Sequence, residues 1–197
     1  MATFPDPSNS PAHHTRSLSI SDFPASVSAG TDVGGWISTF YNVTHFHFDR
    51  VPWADHPLTP FFGFSPAVRS LSLAATSSEF FDLVCSFPLL EDLTLIDFCP
   101  EGGTVWWSAP STSPKLTGSL YLAVMGGIHS TIRRLLDLPD GLRFAEITVT
   151  CISKDFGSVT DLVSRCSNTL ETLEIRCFLT GVFPSASMIC QYLTIMR

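Results

Sequence analysis

The sequence has few charged residues and no block of basic ones. Asp, Glu, Lys and Arg make up 15% of the 197 residues, against about 25% in an average soluble domain. The chain contains 11 Lys and Arg and 18 Asp and Glu, which gives a formal net charge of −7. Binding to nucleic acid or to an anionic membrane surface depends on clustered Lys and Arg. We therefore expect no nucleic-acid partner and no membrane partner.

Long apolar runs and targeting signals are absent as well. The longest smooth apolar stretch, residues 116–128, is interrupted by glycine and serine and is shorter than the roughly 20 residues that span a bilayer. Residues 1–16 contain no basic start followed by an apolar run, so we expect no signal peptide. Six cysteines occur without a CxxC pair, which favours buried free thiols over a disulfide framework. These features predict an intracellular protein of the cytoplasm, the nucleus or both.

Catalytic and cofactor-binding motifs are also missing. No G-x-S-x-G nucleophile elbow occurs. Residues 30–35 read GTDVGG without the lysine that a phosphate-binding loop requires. The pair Gly126–Gly127 lacks the third glycine and the acidic partner of a dinucleotide-binding fingerprint. We therefore expect a protein that is not an enzyme and binds no cofactor.

A repeated strand pattern organises the apolar residues, which make up 45% of the chain. The template apolar-x-x-apolar-x-apolar recurs seven times, twice with threonine at its first position, at spacings of 22 to 28 residues. Each copy contains a period-2 segment, which is typical of a half-buried strand. The middle apolar residues of the seven copies are Leu18, Phe46, Leu71, Leu93, Leu120, Ile147 and Leu173.

Amphipathic helical stretches lie between several of these strands. Residues 77–86, 130–137 and 157–166 place apolar side chains on one helical face, and residues 36–40 predict a fourth, short helix. Strand and helix alternating with a period of roughly 20–29 residues is typical of leucine-rich repeats. We therefore predict an α/β fold, a leucine-rich-repeat-like solenoid with a parallel sheet on the concave side and helices and loops on the convex side.

The predicted domain organisation has three parts. Residues 1–14 are predicted to be a disordered tail, and residues 15–178 a solenoid of about seven irregular repeats. Residues 179–197 break the period and are predicted to be an irregular C-terminal segment, for which truncation of a longer repeat protein is one interpretation. Within the solenoid, residues 52–66 and 99–115 lack the repeat pattern and are predicted as loops with at most one turn of helix.

Two segments resemble the helix-to-strand junctions of F-box/leucine-rich-repeat proteins, namely residues 81–95, FDLVCSFPLLEDLTL, and residues 164–175, SRCSNTLETLEI. Residues 116–122 followed by 132–139 are similar to the large F-box-like families of mushroom-forming fungi. The resemblance extends over residues 15–178. It implies the substrate-recognition repeats of a ubiquitin-ligase adaptor, which would bind a protein partner that the sequence does not name.

The F-box itself is not recognisable in the sequence. The residues before the first repeat do not resemble its helical segment. Docking to a ubiquitin-ligase scaffold is therefore not expected of this chain.

Side chains that alternate with the apolar strand positions form the candidate partner-binding surface. Successive strand side chains point to opposite faces, so these residues share the concave face, which is the usual binding surface of a solenoid. The alternative for each of them is a solvated strand position without a binding role. The candidates are His45, His47, Asp49, Asp92, Thr94, Tyr121, Glu146, Thr148, Glu174 and Arg176.

Two alternatives to a binding module arise from the same sequence. The first is a truncated or decayed gene fragment with no independent function, whose open sheet edges would favour aggregation. The second is a metal-dependent enzyme centred on His45 and His47, with Asp49 on the same strand face. Same-face neighbours on a strand stand about 7 Å apart, which disfavours their convergence on one ion. We therefore predict no metal site.

Overall fold

One sheet of eight strands organises the chain. The computed structural model describes residues 10–21, 33–49, 59–74, 80–96, 113–123, 128–178 and 190–196. Within these ranges, seven parallel strands succeed one another across the sheet in chain order, and the eighth is antiparallel to the seventh. The α/β class and the parallel sheet expected from the sequence are therefore confirmed. The strands are β1 (Ser17–Ser21), β2 (His45–Asp49), β3 (Ser70–Ala74), β4 (Asp92–Ile96), β5 (Ser119–Ala123), β6 (Glu146–Ile152), β7 (Thr172–Phe178) and β8 (Cys190–Met196).

The register of the seven parallel strands is unshifted from one edge to the other. Leu18 pairs with Phe46, and the middle apolar residue of every later template continues the same line to Leu173. Because the side-chain period of a strand is two, this alignment collects the apolar side chains on one face of the sheet and the alternating residues on the other. Equivalent positions of the repeated template therefore lie side by side on neighbouring strands.

Within the described ranges, one short helix precedes β1 and four others lie between strands. Each of the three helical stretches predicted before β4, β6 and β7 contains a helix within two or three residues of the expected bounds. Residues 77–79 of the first predicted stretch lie outside the described residues. The helices are α1 (Pro11–His14), α2 (Val33–Ile37), α3 (Phe80–Cys85), α4 (Ile128–Leu136) and α5 (Phe156–Arg165), with 3₁₀ turns at Ser38–Phe40, Thr59–Phe61 and Ser153–Asp155.

The apolar face of the sheet and the helices share one core. Ile132 and Leu135 of α4 and Leu162 of α5 belong to the same buried cluster as the strand residues. Phe46 is at its aromatic centre, with ring centroids 5.0 Å from Phe64 and 5.7 Å from Phe48. Since these helices pack on the apolar face, the opposite face of the sheet is left to the alternating, mostly polar side chains.

Both ends of the described chain differ from the prediction. Residues 11–14 of the expected disordered tail form α1, whose proline occupies the start of the helix, where its missing N–H costs nothing. Residues 190–196 of the expected irregular segment form β8, which pairs with β7 so that Thr172 faces Met196. Because β8 contains no copy of the repeated template, the periodicity of the sequence did not predict it. Residues 1–9 and 99–112 lie outside the described residues.

Candidate functional site

The ten candidate residues all lie on the side of the sheet opposite the core. We call this side the polar face; it consists of the first, third and fifth residues of β1 to β5, and their register partners on β6 and β7. None of the ten candidates is buried. Neighbouring members of a row are about 4.8 Å apart, which is the spacing of strands in a sheet. The first row is Ser17, His45, Ser70, Asp92, Ser119, Glu146 and Thr172; the middle row is Ser19, His47, Ser72, Thr94, Tyr121, Thr148 and Glu174; the third is Ser21, Asp49, Ala74, Ile96, Ala123, Thr150 and Arg176.

The two histidines of β2 are each joined to a different hydroxyl group. His47 Nδ1 is 2.9 Å from the Ser72 hydroxyl on β3, and His45 Nδ1 is 2.9 Å from the hydroxyl of its neighbour Thr44. Across the described ranges, no group of three or more His, Cys, Asp or Glu side chains is arranged to hold a metal ion. The observed contacts tie these imidazoles into the hydroxyl-rich part of the polar face.

The carboxylate of Asp92 fastens β4 to the start of β5. Its Oδ1 accepts a hydrogen bond from the Ser119 backbone N–H at 2.7 Å and another from the Ser119 hydroxyl at 2.9 Å. Gly118 makes this approach possible, because a Cβ there would lie only 2.2 Å from the same oxygen. Asp92 therefore has a structural role that the sequence did not reveal, since its partner is 27 residues away.

Tyr121 occupies the centre of the middle row on β5. Its register partners are Thr94 on β4 and Thr148 on β6, and all three side chains are half-buried. The row ends with Glu174, whose Oε1 accepts a hydrogen bond from Arg176 Nε at 2.9 Å. The chain thus presents a partly exposed aromatic ring between two short hydroxyl side chains, with an ion pair at the edge of the row.

Charge is unevenly distributed between the two sides of the sheet. Among the described residues, the polar face carries one cation, Arg176, which is paired with Glu174. Of the other described cations, Arg133 and Arg134 lie in α4 and Arg165 lies in α5, while Arg69 directly precedes β3 and forms an ion pair with Glu91. Since the polar face holds four carboxylates against that one guanidinium, its net charge is negative. The four are Asp49, Asp92, Glu146 and Glu174.

The cysteines with described side chains have free thiols that lie away from the polar face. Burial raises the pKa of the Cys85 thiol to about 11, with a smaller contribution from the Asp82 carboxylate. Burial also raises the pKa of Cys151 to about 11, and its register partner Cys177 adds to the effect. Desolvation raises the pKa of Cys166 as well. These three groups are therefore protonated near neutral pH and are weak nucleophiles.

Comparisons with known proteins add no family to this description. No protein-family model, no curated protein and no solved structure matches the chain. None of the described helices combines the length and apolar character needed to cross a membrane. The resemblance to F-box/leucine-rich-repeat proteins therefore stays a prediction.

Proposed function

We propose that this chain is a non-enzymatic protein–protein interaction module and that the polar face of the sheet is its binding surface. The observation that carries the proposal is the unshifted register of β1 to β7, which sets the polar side chains in straight rows outside the core. Seven strands at about 4.8 Å give a surface on the order of 30 Å across. Such a broad surface suits a segment of another protein better than a small ligand, which needs a concave pocket.

The overall shape that we infer is a leucine-rich-repeat-like solenoid with the polar face on its concave side. Packed helices stand roughly 8–10 Å apart, whereas neighbouring strands are about 4.8 Å apart. A stack of strand–helix units is therefore wider on the helix side, and the sheet side curves inward. Between β2 and β3, the described residues contain only the 3₁₀ turn Thr59–Phe61, so we expect less curvature there than between β5 and β7.

The biological setting that we infer comes from the resemblance to F-box adaptors. In this proposal, the rows of the polar face serve as substrate-recognition repeats of the kind that present a protein to a ubiquitin ligase. An intracellular location fits the free thiols of Cys85, Cys151, Cys166 and Cys177. The partner is a protein, and the recognising residues are those of the polar face.

To test this proposal, we compare a variant in which the polar face is blocked with a variant that carries matched substitutions elsewhere. Peptides are selected on the chain from a phage-displayed random dodecapeptide library. We then measure how these peptides bind to two variants. The variant T94R/T148R places two bulky cations beside Tyr121, and the variant T160R/S164R makes the same change on the exposed side of α5. We expect binding to be lost in T94R/T148R and kept in T160R/S164R. Peptides that bind both variants equally would contradict the proposal.

The alternative of a fragment without function is tested on the purified chain itself. It predicts aggregates in size-exclusion chromatography or a broad, non-cooperative thermal melt, because incomplete repeats leave apolar surface and unpaired backbone groups. A monomer with one cooperative melt is what a free-standing binding module requires.

A further inference from the structure

We propose that the polar face takes a basic segment of its partner, laid across β4 to β7 with an arginine or lysine side chain against the ring of Tyr121. This inference rests on the proposed function, because it names the chemistry of the partner for the same surface. It is carried by the position of Tyr121 and by the distribution of charge around it.

The first argument is the setting of the aromatic ring. Tyr121 is half-buried, and its neighbours across the strands are the short side chains of Thr94 and Thr148. The face of an aromatic ring attracts a guanidinium or ammonium group, more strongly as the pair loses water. Threonine hydroxyls beside the ring supply neutral hydrogen-bond acceptors for the remaining N–H groups of such a cation.

The second argument is the carboxylates around that ring. Glu146 is exposed and lies on the adjacent strand two positions before Thr148, which places its Cα on the order of 8 Å from that of Tyr121. Glu174 lies two strands away in the same row, and Asp92 lies on the strand on the other side. Oppositely charged groups at this range attract a cation across a partly desolvated interface.

The third argument is the near absence of competing cations on this side of the described structure. Arg176 lies 2.9 Å from Glu174 and is the one cation of the three described rows, which hold four carboxylates, so the rows keep a clear excess of negative charge. Arg134 lies over the ring of Phe81 on the helix side, 5.7 Å from its centroid. An acidic segment or a nucleic acid would meet repulsion on the polar face, whereas a basic segment meets attraction.

The experiment uses the peptides selected on the chain that fail to bind T94R/T148R. We expect these sequences to be enriched in Lys and Arg. A synthetic copy of the strongest one should bind about tenfold more weakly to E146Q/E174Q, a change of about 1.4 kcal/mol, and within about twofold of wild type to D137N/D161N, a matched loss of two carboxylates on the helix side. Y121F should keep the affinity because it keeps the ring, while Y121L should weaken binding several-fold.

The failures of the two proposals are distinguishable in this experiment. If the selected peptides need the polar face but are acidic or neutral, the proposed function stands and the basic partner is wrong. Equal loss of affinity in E146Q/E174Q and D137N/D161N would also contradict the basic-segment inference, because it would reflect only the net charge of the chain. Peptides that are indifferent to T94R/T148R, or an absence of binders, would overturn both proposals.

Discussion

The Oδ1 atom of Asp92 accepts both the backbone N–H and the hydroxyl of Ser119, at 2.7 and 2.9 Å. One carboxylate oxygen thus joins the first residues of two neighbouring strands, and these two residues are 27 positions apart in the chain. The contact fixes where β5 begins against β4. It therefore also fixes the position of Tyr121 two residues later in the middle row of the polar face.

Removing this carboxylate is expected to destabilise the fold. We expect D92A to lower the free energy of unfolding by about 1–2 kcal/mol, because the half-buried carboxylate makes two hydrogen bonds and the Ser119 N–H loses its acceptor. Urea denaturation measures the change. D137A, at an exposed position on the helix side, serves as the control and should change stability by less than about 0.5 kcal/mol. Equal stability of D92A and wild type would contradict the role of the contact.

We expect a larger side chain at residue 118 to be better tolerated when Asp92 is replaced by alanine. A Cβ at residue 118 would lie 2.2 Å from Asp92 Oδ1 and 3.0 Å from its Cγ. We expect G118A to cost about 1–3 kcal/mol through this overpacking, and clearly less in the D92A background. A double-mutant cycle in urea isolates the coupling between the two positions. Strictly additive effects would show that the two side chains do not compete for this space.

The buried thiols predict a loss of stability at alkaline pH. The pKa values of Cys85 and Cys151 are raised from 9.0 to about 11, chiefly by burial, so the fold favours the neutral thiol over the thiolate. Their contribution to stability is fully present below pH 9 and is lost as the pH rises from 9 towards 11. The unfolding free energy of wild type should therefore fall more between pH 8.5 and 10.5 than that of C85A/C151A. Parallel curves for the two proteins would refute this explanation.

Phe46 is expected to be among the most costly side chains to truncate. It is 1% exposed and contacts the rings of Phe48 and Phe64. We expect F46A to cost about 3–5 kcal/mol, from lost transfer energy and the cavity left behind. F156A removes a phenylalanine that is 44% exposed at the start of α5, and it should cost far less. Thermal melts that shift equally for both variants would mean that the aromatic cluster is not the core of the protein.

Periodicity in the sequence predicts the repeated elements, whereas contacts between distant residues leave no periodic signal. The strand around Leu93 and the helices α4 and α5 could be predicted because their apolar residues recur at the period of the element. The assignment of Glu146 and Thr148 to one face required only the alternation of a strand. The hydrogen bonds of Asp92 could not be predicted this way, because the template places Asp92 and Ser119 on neighbouring strands but carries no information about contacts between their side chains.

Two elements at the ends of the described chain, β8 and α1, could not be predicted from the periodicity of the sequence either. β8 contains no copy of the template and pairs with β7 in the antiparallel direction, so a search for parallel repeats does not find it. α1 has only four residues, which is too short for an amphipathic period to appear. Both elements contact residues elsewhere in the chain: β8 pairs with β7, and the side-chain amide of Asn42 donates a hydrogen bond to the carbonyl oxygen of His13 in α1.

Chemical-shift mapping on the ¹⁵N-labelled chain tests most directly whether the polar face is a binding surface. The strongest peptide selected on the chain is titrated in, and the amide resonances are monitored. We expect the largest shifts along the middle row, at Thr94, Tyr121 and Thr148, with smaller shifts on the helix side. Shifts concentrated on α4 and α5, with the middle row unchanged, would contradict the proposed binding surface.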